Sequence, residues 1–241
     1  MALKLNPHVS VDCVVFGFDD LSLKVLLIDR NLGIPSGKHT APDSLKLPGS
    51  MVYDDEDVDT AAVRVLKDLT GLENIYLQQF QVFGSPDRLK KTDDLNWLQS
   101  MTKMKINRVV TIAYYSLIKL HNSMPCDGKV VWCDMMHLPE LAFDHKEIVQ
   151  RGLNMLRREV HNEPLAFELL PKKFTIRQLQ TLYEIIEGKK LDNRNFRKSI
   201  SKWGYLAPVN EKEKNVAHKP AQFFRFDKRI YQRIKSDFLN D

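Results

Sequence analysis

Between Asn193 and Lys202 the chain carries four basic residues and no acidic one. Phe196 and Ile200 stand one helical turn apart in this stretch. Asn193, Arg194, Arg197, Lys198, Ser201 and Lys202 lie on the other face, with Asn195 between the two. Arginine meets guanine at two atoms, asparagine meets adenine in the same way, and lysine supplies a point charge for phosphate. A solvated helix face normally mixes both signs of charge, so a purely cationic one points to a polyanion. A basic run follows, with Lys212, Lys214, His218 and Lys219 near the tip of what reads as a hairpin.

The charge balance of the whole chain agrees. The 241 residues carry a net charge of +5, but residues 1–160 hold 19 basic and 21 acidic side chains, and residues 161–241 hold 17 and 10. All of the positive excess therefore lies in the last third. With 43% apolar and 28% charged residues, the composition is that of a globular protein, not a disordered or fibrous one. No apolar run approaches the ~18–20 residues that a membrane helix needs, so no membrane partner is expected. The start lacks the apolar core of a secretory signal. Cys13, Cys126 and Cys133 are an odd number without metal-ligand spacing, which suits reduced thiols in a cytoplasm.

The elements that position the cationic stretch read as three short helices and a hairpin. Residues 163–170 form a helical candidate ended by Pro171. Thr175 is placed to cap a second helix, with Gln178 three residues on and Gly188 at its end. Asp192 is placed to cap the third helix, which runs to about Trp203 before Gly204. Strand-like segments around Tyr205–Leu206 and Phe223–Phe226 flank the basic run. This is the order of a winged helix-turn-helix, whose third helix enters the DNA major groove.

The first 160 residues read differently. Val9–Phe18, Leu23–Ile28, Ile75–Phe83, Val109–Ile118 and Lys129–Cys133 are strand-like. Residues 31–44 and 84–107 read as loops, the second with one helical turn near Leu95–Met101. Asp57–Leu69 shows helical spacing, with acidic residues at its start and Gly71 at its end. Asp144–His161 closes the region as a second helix.

Across Asp57–Leu69 runs Ser50-x5-Glu56-x7-Arg64-Val65-Leu66-Lys67-Asp68-Leu69-Thr70-Gly71-Leu72. This resembles the Nudix box, Gly-x5-Glu-x7-Arg-Glu-U-x-Glu-Glu-x-Gly-U, where U is a bulky aliphatic residue. Glu56, Arg64, Leu66, Gly71 and Leu72 match, whereas Ser50, Val65, Asp68 and Leu69 depart from it. In that family the helix carboxylates hold divalent cations that offset diphosphate charge. Val65 and Leu69 offer no oxygen, so the resemblance comes with its hydrolytic chemistry damaged. A structural pairing of Arg64 with Glu56 is expected instead.

Further on, Phe174-Thr175-x3-Leu179-Gln180-x2-Tyr183-Glu184-x3-Gly188 and Leu191-Asp192-x2-Asn195-Phe196-Arg197-Lys198 resemble the Nudix-related transcriptional regulators of the NrtR type. Pro220-Ala221 before Phe223–Phe226 also resembles them. The likeness implies an α+β chain: a Nudix-like α/β/α sandwich with a mixed sheet over 1–161, then a C-terminal winged helix-turn-helix over 162–241. It implies a homodimer on double-stranded DNA, controlled by a small-molecule effector. One branch of the family responds to ADP-ribose and another, in Bacteroidetes, to arabinose. The losses in the box lead to an expected sugar effector such as a pentose, with Arg30, Tyr53, Glu56, Arg64 and Arg88 as candidate contacts. No catalytic residue, metal or cofactor is expected. The alternatives are an ADP-ribose-responsive regulator of NAD metabolism, a Nudix hydrolase acting on ADP-ribose or another nucleoside diphosphate derivative, and a module that binds an acidic protein.

Overall fold

The computed structural model describes residues 4–30, 44–120, 130–162, 164–214 and 219–239. It divides into two compact units, Met1–Leu156 and Arg157–Asp241. Residues 31–43, His218 and Cys126 lie outside the described residues. No helix among those described is long and apolar enough to cross a membrane.

The first unit is organised by β1 (Leu5–Phe18), which pairs in parallel with β6 (Val110–Lys119) along most of its length. On its other side β1 pairs antiparallel with β4 (Gly49–Tyr53) through Ser10–Asp12, and with β2 (Leu23–Asp29) through Phe16–Phe18. β3 (Leu45–Lys46) and β7 (Val130–Asp134) join β2, and β5 (Gln78–Phe83) joins β6, which completes a seven-stranded mixed sheet. Alternation along β1 assigns its two faces. Val11, Cys13 and Val15 share a core cluster with Ala61, Ala62, Val65 and Leu66 of α1 (Val58–Thr70). Val14, on the opposite face, lies against Gly152 of α3 (His145–Asn162). The helices thus cover the two faces of the sheet, in the α/β/α order expected from the sequence.

Local chemistry explains the ends of α1. The Asp57 carboxylate accepts the Thr60 amide at 2.7 Å, and Gly71, at φ 72°, donates its own amide to the Lys67 carbonyl. A left-handed residue that ends a helix favours glycine.

The second unit holds β8 (Phe174–Thr175), α4 (Ile176–Glu187), α5 (Asn193–Ile200), β9 (Leu206–Lys212), β10 (Gln222–Phe226) and α6 (Lys228–Leu239), with the strands in the order β8-β10-β9. The capping box at Thr175 and Gln178 is present. An aromatic core binds the hairpin to the helices: Phe167 stacks on Phe226 at 4.6 Å, and Trp203 on Tyr205 at 5.6 Å. The last turns of α3 belong here, because Arg157 donates to the Ile186 carbonyl and the Tyr183 hydroxyl to the Val160 carbonyl, each at 2.9 Å. These bonds lie within the second unit, Arg157–Asp241.

Several elements differ from the sequence reading. The stretch read as a long loop contains a 3-10 turn at Pro86–Leu89 and an eleven-residue helix, α2 (Thr92–Thr102). Among its charged residues, Asp94 is buried against Arg30. The first helical candidate of the second unit is a 3-10 segment, Pro164–Leu169. Strand β5 begins at Gln78, not Ile75. Helix α5 ends at Ile200, since the Ser201 hydroxyl turns back to the Lys198 carbonyl at 2.9 Å. Helix α6 escaped the sequence reading altogether; Tyr231 docks on Tyr205 and Phe226.

Gly49 sits opposite Asp12, where a β-carbon would lie 1.8 Å from the Asp12 carboxylate and 2.9 Å from the Val11 carbonyl oxygen. Gly49→Ala should therefore lower stability by about 1–3 kcal/mol, through forced displacement in a packed site. Thermal denaturation against Gly84→Ala, whose β-carbon would meet Val110 only at an ordinary 3.4 Å, checks this. The control should stay within about 0.5 kcal/mol of the parent.

Candidate functional site

The loop between β4 and α1 is closed by one ion pair. Arg64 Nε donates to Glu56 Oε2 at 2.8 Å, and Arg64 Nη2 reaches Glu56 Oε1 and the Met51 carbonyl. The Tyr53 amide donates to Glu56 Oε1 at 2.8 Å, and the guanidinium lies 4.2 Å from the centre of the Tyr53 ring. Bonding to Arg64 holds the Glu56 carboxyl below its usual range. Both Glu56 oxygens are therefore engaged in tying loop to helix.

The rest of the box faces elsewhere. Val65 is fully buried in the core and Leu69 packs against the same cluster. Asp68 is exposed, and its nearest cation is Arg64 at 3.9 Å. Among the described residues no group of three or more His, Cys, Asp or Glu is placed to hold a metal ion. Hard divalent cations need several oxygen ligands. These side chains do not fit the metal cluster that the box resemblance implies.

Beside the C-terminal end of α1 opens a cavity of about 530 Å³, bordered by Ser50, Asp68 and Leu69 of the box. Its floor is polar and buried. Thr111 donates its hydroxyl to Asp12 at 2.7 Å, and Arg88 Nη2 lies 3.5 Å from the same carboxylate. Arg88 also clasps Asp144 through Nε at 2.7 Å and Nη2 at 2.9 Å. His145 accepts the Leu47 amide at Nδ1, 2.9 Å away, and directs Nε2 at Asp12, 3.5 Å away. Burial drives the His145 pKa down to about 4, so the ring is neutral at pH 7 with its proton on Nε2. Burial alone would raise the Asp12 pKa, but His145 when protonated, Arg88, Thr111 and Lys46 overrule it and lower it.

Among the described residues, Lys46 is the cation of this floor without a carboxylate in ion-pair contact. Its ammonium donates to the Leu47 and Gly49 carbonyls at 3.1 and 3.0 Å and lies 5.6 Å from the Trp97 ring centre. Burial lowers its pKa to about 8, partly offset by Asp12. Arg30 pairs with Asp94, which in turn accepts the Phe143 amide at 2.8 Å. Trp97 and Phe143, ring centres 6.0 Å apart and edge to face, form an aromatic wall.

The cavity brings together Arg30 and Arg88 of the residues expected from sequence. Tyr53, Glu56 and Arg64 do not line it; they form the loop clamp. Lys46, Asp12, His145, Trp97 and Phe143 were missed. Two of them left a trace: Asp12 interrupts the apolar run of β1, and Lys46 stands between two leucines. Neither trace says which other elements converge there.

In the second unit, Asp192 caps α5 by accepting the Asn195 amide at 2.8 Å, and Phe196 and Ile200 are buried. Arg194, Arg197, Lys198 and Lys202 are exposed, as are Lys212, Lys214 and Lys219 of the hairpin. Asn193 is exposed too, but its carbonyl oxygen accepts Gln180 Nε2 at 2.6 Å. Ser201 uses its hydroxyl at the helix end. A cationic face with a hydrogen-bonded turn behind it suits a duplex groove.

Residues 166–226 match the family model of the NrtR DNA-binding winged helix domain. Over 228 residues the chain is 28% identical to the ADPR responsive transcriptional repressor NtrR of Acinetobacter baylyi, covering 92% of this chain and 82% of that one. It is 29% identical over 150 residues to an ADP-ribose pyrophosphatase of Methanocaldococcus jannaschii, covering 61% of this chain and 74% of that one. The fold is similar to Shewanella oneidensis NrtR complexed with a 27mer DNA, at a TM-score of 0.65 and 21% identity over 93% of this chain and 95% of that one. It is also similar to a MutT/nudix family protein from Enterococcus faecalis, at 0.61 and 23% over 92% and 88%. Residues 166–226 thus match the NrtR DNA-binding winged helix domain, and the chain shares the fold of these structures, a Nudix-like domain followed by a winged helix.

Proposed function

We propose that this protein is a transcriptional regulator whose Nudix-like cleft takes an ADP-ribose-like effector and whose winged helix binds operator DNA. The observation that carries the reading is the pairing of two features. One is a buried cationic and aromatic cavity beside a box without metal-holding oxygens. The other is an exposed α5 face bearing Arg194, Arg197, Lys198 and Lys202. Lys46 and Arg88 offer charge to a diphosphate, and Trp97 and Phe143 offer flat faces to a ring. The relative that spans most of the chain is named for its response to ADPR, which supports the same class of ligand. A free sugar such as arabinose, favoured from the sequence, has no support from the relatives, and the buried cations suit an anion better.

In this reading the cleft binds without turnover, because Val65 and Leu69 give a cation no oxygen and Glu56 is engaged by Arg64. Tyr53, Glu56 and Arg64 act as scaffold, while Arg30 and Arg88 join Lys46 in shaping the cleft. The protein works as a cytoplasmic homodimer. The effector shifts the balance between DNA-competent and incompetent arrangements by its differential affinity for them.

Calorimetric titration with ADP-ribose, ADP and arabinose, with and without magnesium, tests the effector. ADP-ribose should bind and arabinose should not, and phosphorus NMR should show no cleavage; turnover would establish the hydrolase instead. Lys46→Met should weaken ADP-ribose binding about tenfold or more, as expected for loss of a charge-assisted bond. The pH dependence has a definite sign. Lys46 carries its charge below about 8, so affinity should fall as the pH rises through that value, and the decline should vanish in the variant. On the DNA side, Arg194→Ala and Arg197→Ala should each cost about 1–3 kcal/mol of operator affinity where the residue reads a guanine. Fluorescence anisotropy on a selected duplex measures this, and full-strength binding by the double variant would remove α5 from the interface.

A further inference from the structure

Gln180 belongs to α4, yet its side chain ends at the start of α5. The Nε2 atom lies 3.0 Å from Glu184 Oε1, 3.0 Å from the Leu191 carbonyl oxygen and 2.6 Å from Asn193 Oδ1. A carboxylate and a peptide carbonyl only accept hydrogen bonds. The Gln180 atom facing them is thus its amide nitrogen, and the Asn193 atom facing that donor is an oxygen. The two Nε2 protons are shared among three acceptors, and a donor on that side leaves an oxygen as the Asn193 atom that can face it. Glu184 is itself held, accepting the Leu191 amide at 3.0 Å and the Lys190 ammonium at 3.0 Å. Gln180 is buried, with 8% exposure, whereas Asn193 is exposed.

Asn193 is the first residue of α5, and the first turn of a recognition helix is the part that reaches base edges. Reading adenine takes both ends of an asparagine amide: the oxygen accepts from N6 while the nitrogen donates to N7. Here the oxygen is directed at α4, so only the Nδ2 donor is left to face outward. We infer that Gln180 locks Asn193 as a donor alone, so that α5 addresses a hydrogen-bond acceptor at this position and does not select adenine. Guanine N7 or O6, adenine N7, thymine O4 and a phosphate oxygen all meet the requirement, so the donor alone does not tell adenine from guanine. The adenine pairing expected from residue type alone is thereby withdrawn. The inference rests on the DNA-binding reading above and specifies how one residue of that surface is used.

Selection from a randomised duplex pool tests it with the full chain, Gln180→Leu, Asn193→Ala and the double variant. The parent should select a duplex without any adenine preference that Asn193→Ala removes. Gln180→Leu frees the amide and should gain about fivefold or more preference for adenine at one position, lost again in the double variant. Asn193→Asp supplies a second measurement. It keeps an acceptor for Gln180 but turns the outward donor into an acceptor, so binding to the selected duplex should weaken at least about tenfold at unchanged melting temperature. An Asn193-dependent adenine preference in the parent, or undiminished binding by Asn193→Asp, overturns the inference while leaving the regulator standing. A parent that selects no duplex sequence overturns both.

Discussion

A single carboxylate in the middle of the central strand shapes the first unit. Asp12 sits on the face of β1 opposite the α1 core, where an unpaired charge would cost several kcal/mol. Its neighbours answer that cost from different elements: Thr111 on β6, Arg88 from the 3-10 turn before α2, and His145 at the first turn of α3. Gly49 lacks a side chain so that β4 can pass close by. Lys46, the next cation along, is then left with carbonyl oxygens for company. The cleft is what remains when these groups have settled around one buried anion. Its polarity follows from the fold and requires no separate explanation.

Helices α1, α4 and α5 are legible in the sequence because their signals are local: a cap, an apolar stripe and a stop lie within one short segment. The box loop is legible for the same reason, since Glu56 and Arg64 meet within eight residues of each other. The cleft is not. Asp12, Lys46, Arg88 and His145 are far apart in the chain, and only the sheet register makes them neighbours. Helix α2 was hidden because its charged stretch reads as a loop until Asp94 is seen beneath Arg30. Helix α6 carries a helical stripe of its own, Ile230, Ile234 and Phe238, which the sequence reading passed over. Residue type also leaves out one contact that only the fold supplies: a glutamine thirteen residues earlier meets the side-chain oxygen of Asn193.

The two units differ in how they hold their polar groups. In the first, charges are buried around the cleft. In the second, Gln180 and Glu184 tie the turn between α4 and α5 through both side-chain and backbone partners, while the cations of α5 stay outside.

The clamp between Glu56 and Arg64 carries a lesson about signatures. A pattern named for its chemistry survives in this chain because it also does carpentry, holding a loop against the helix that follows. A survey keyed to those two letters will therefore gather pyrophosphate-cleaving enzymes and chains of this kind indiscriminately. The informative positions are those of Val65 and Leu69, where a hydrocarbon side chain leaves the joinery intact and offers a cation no oxygen.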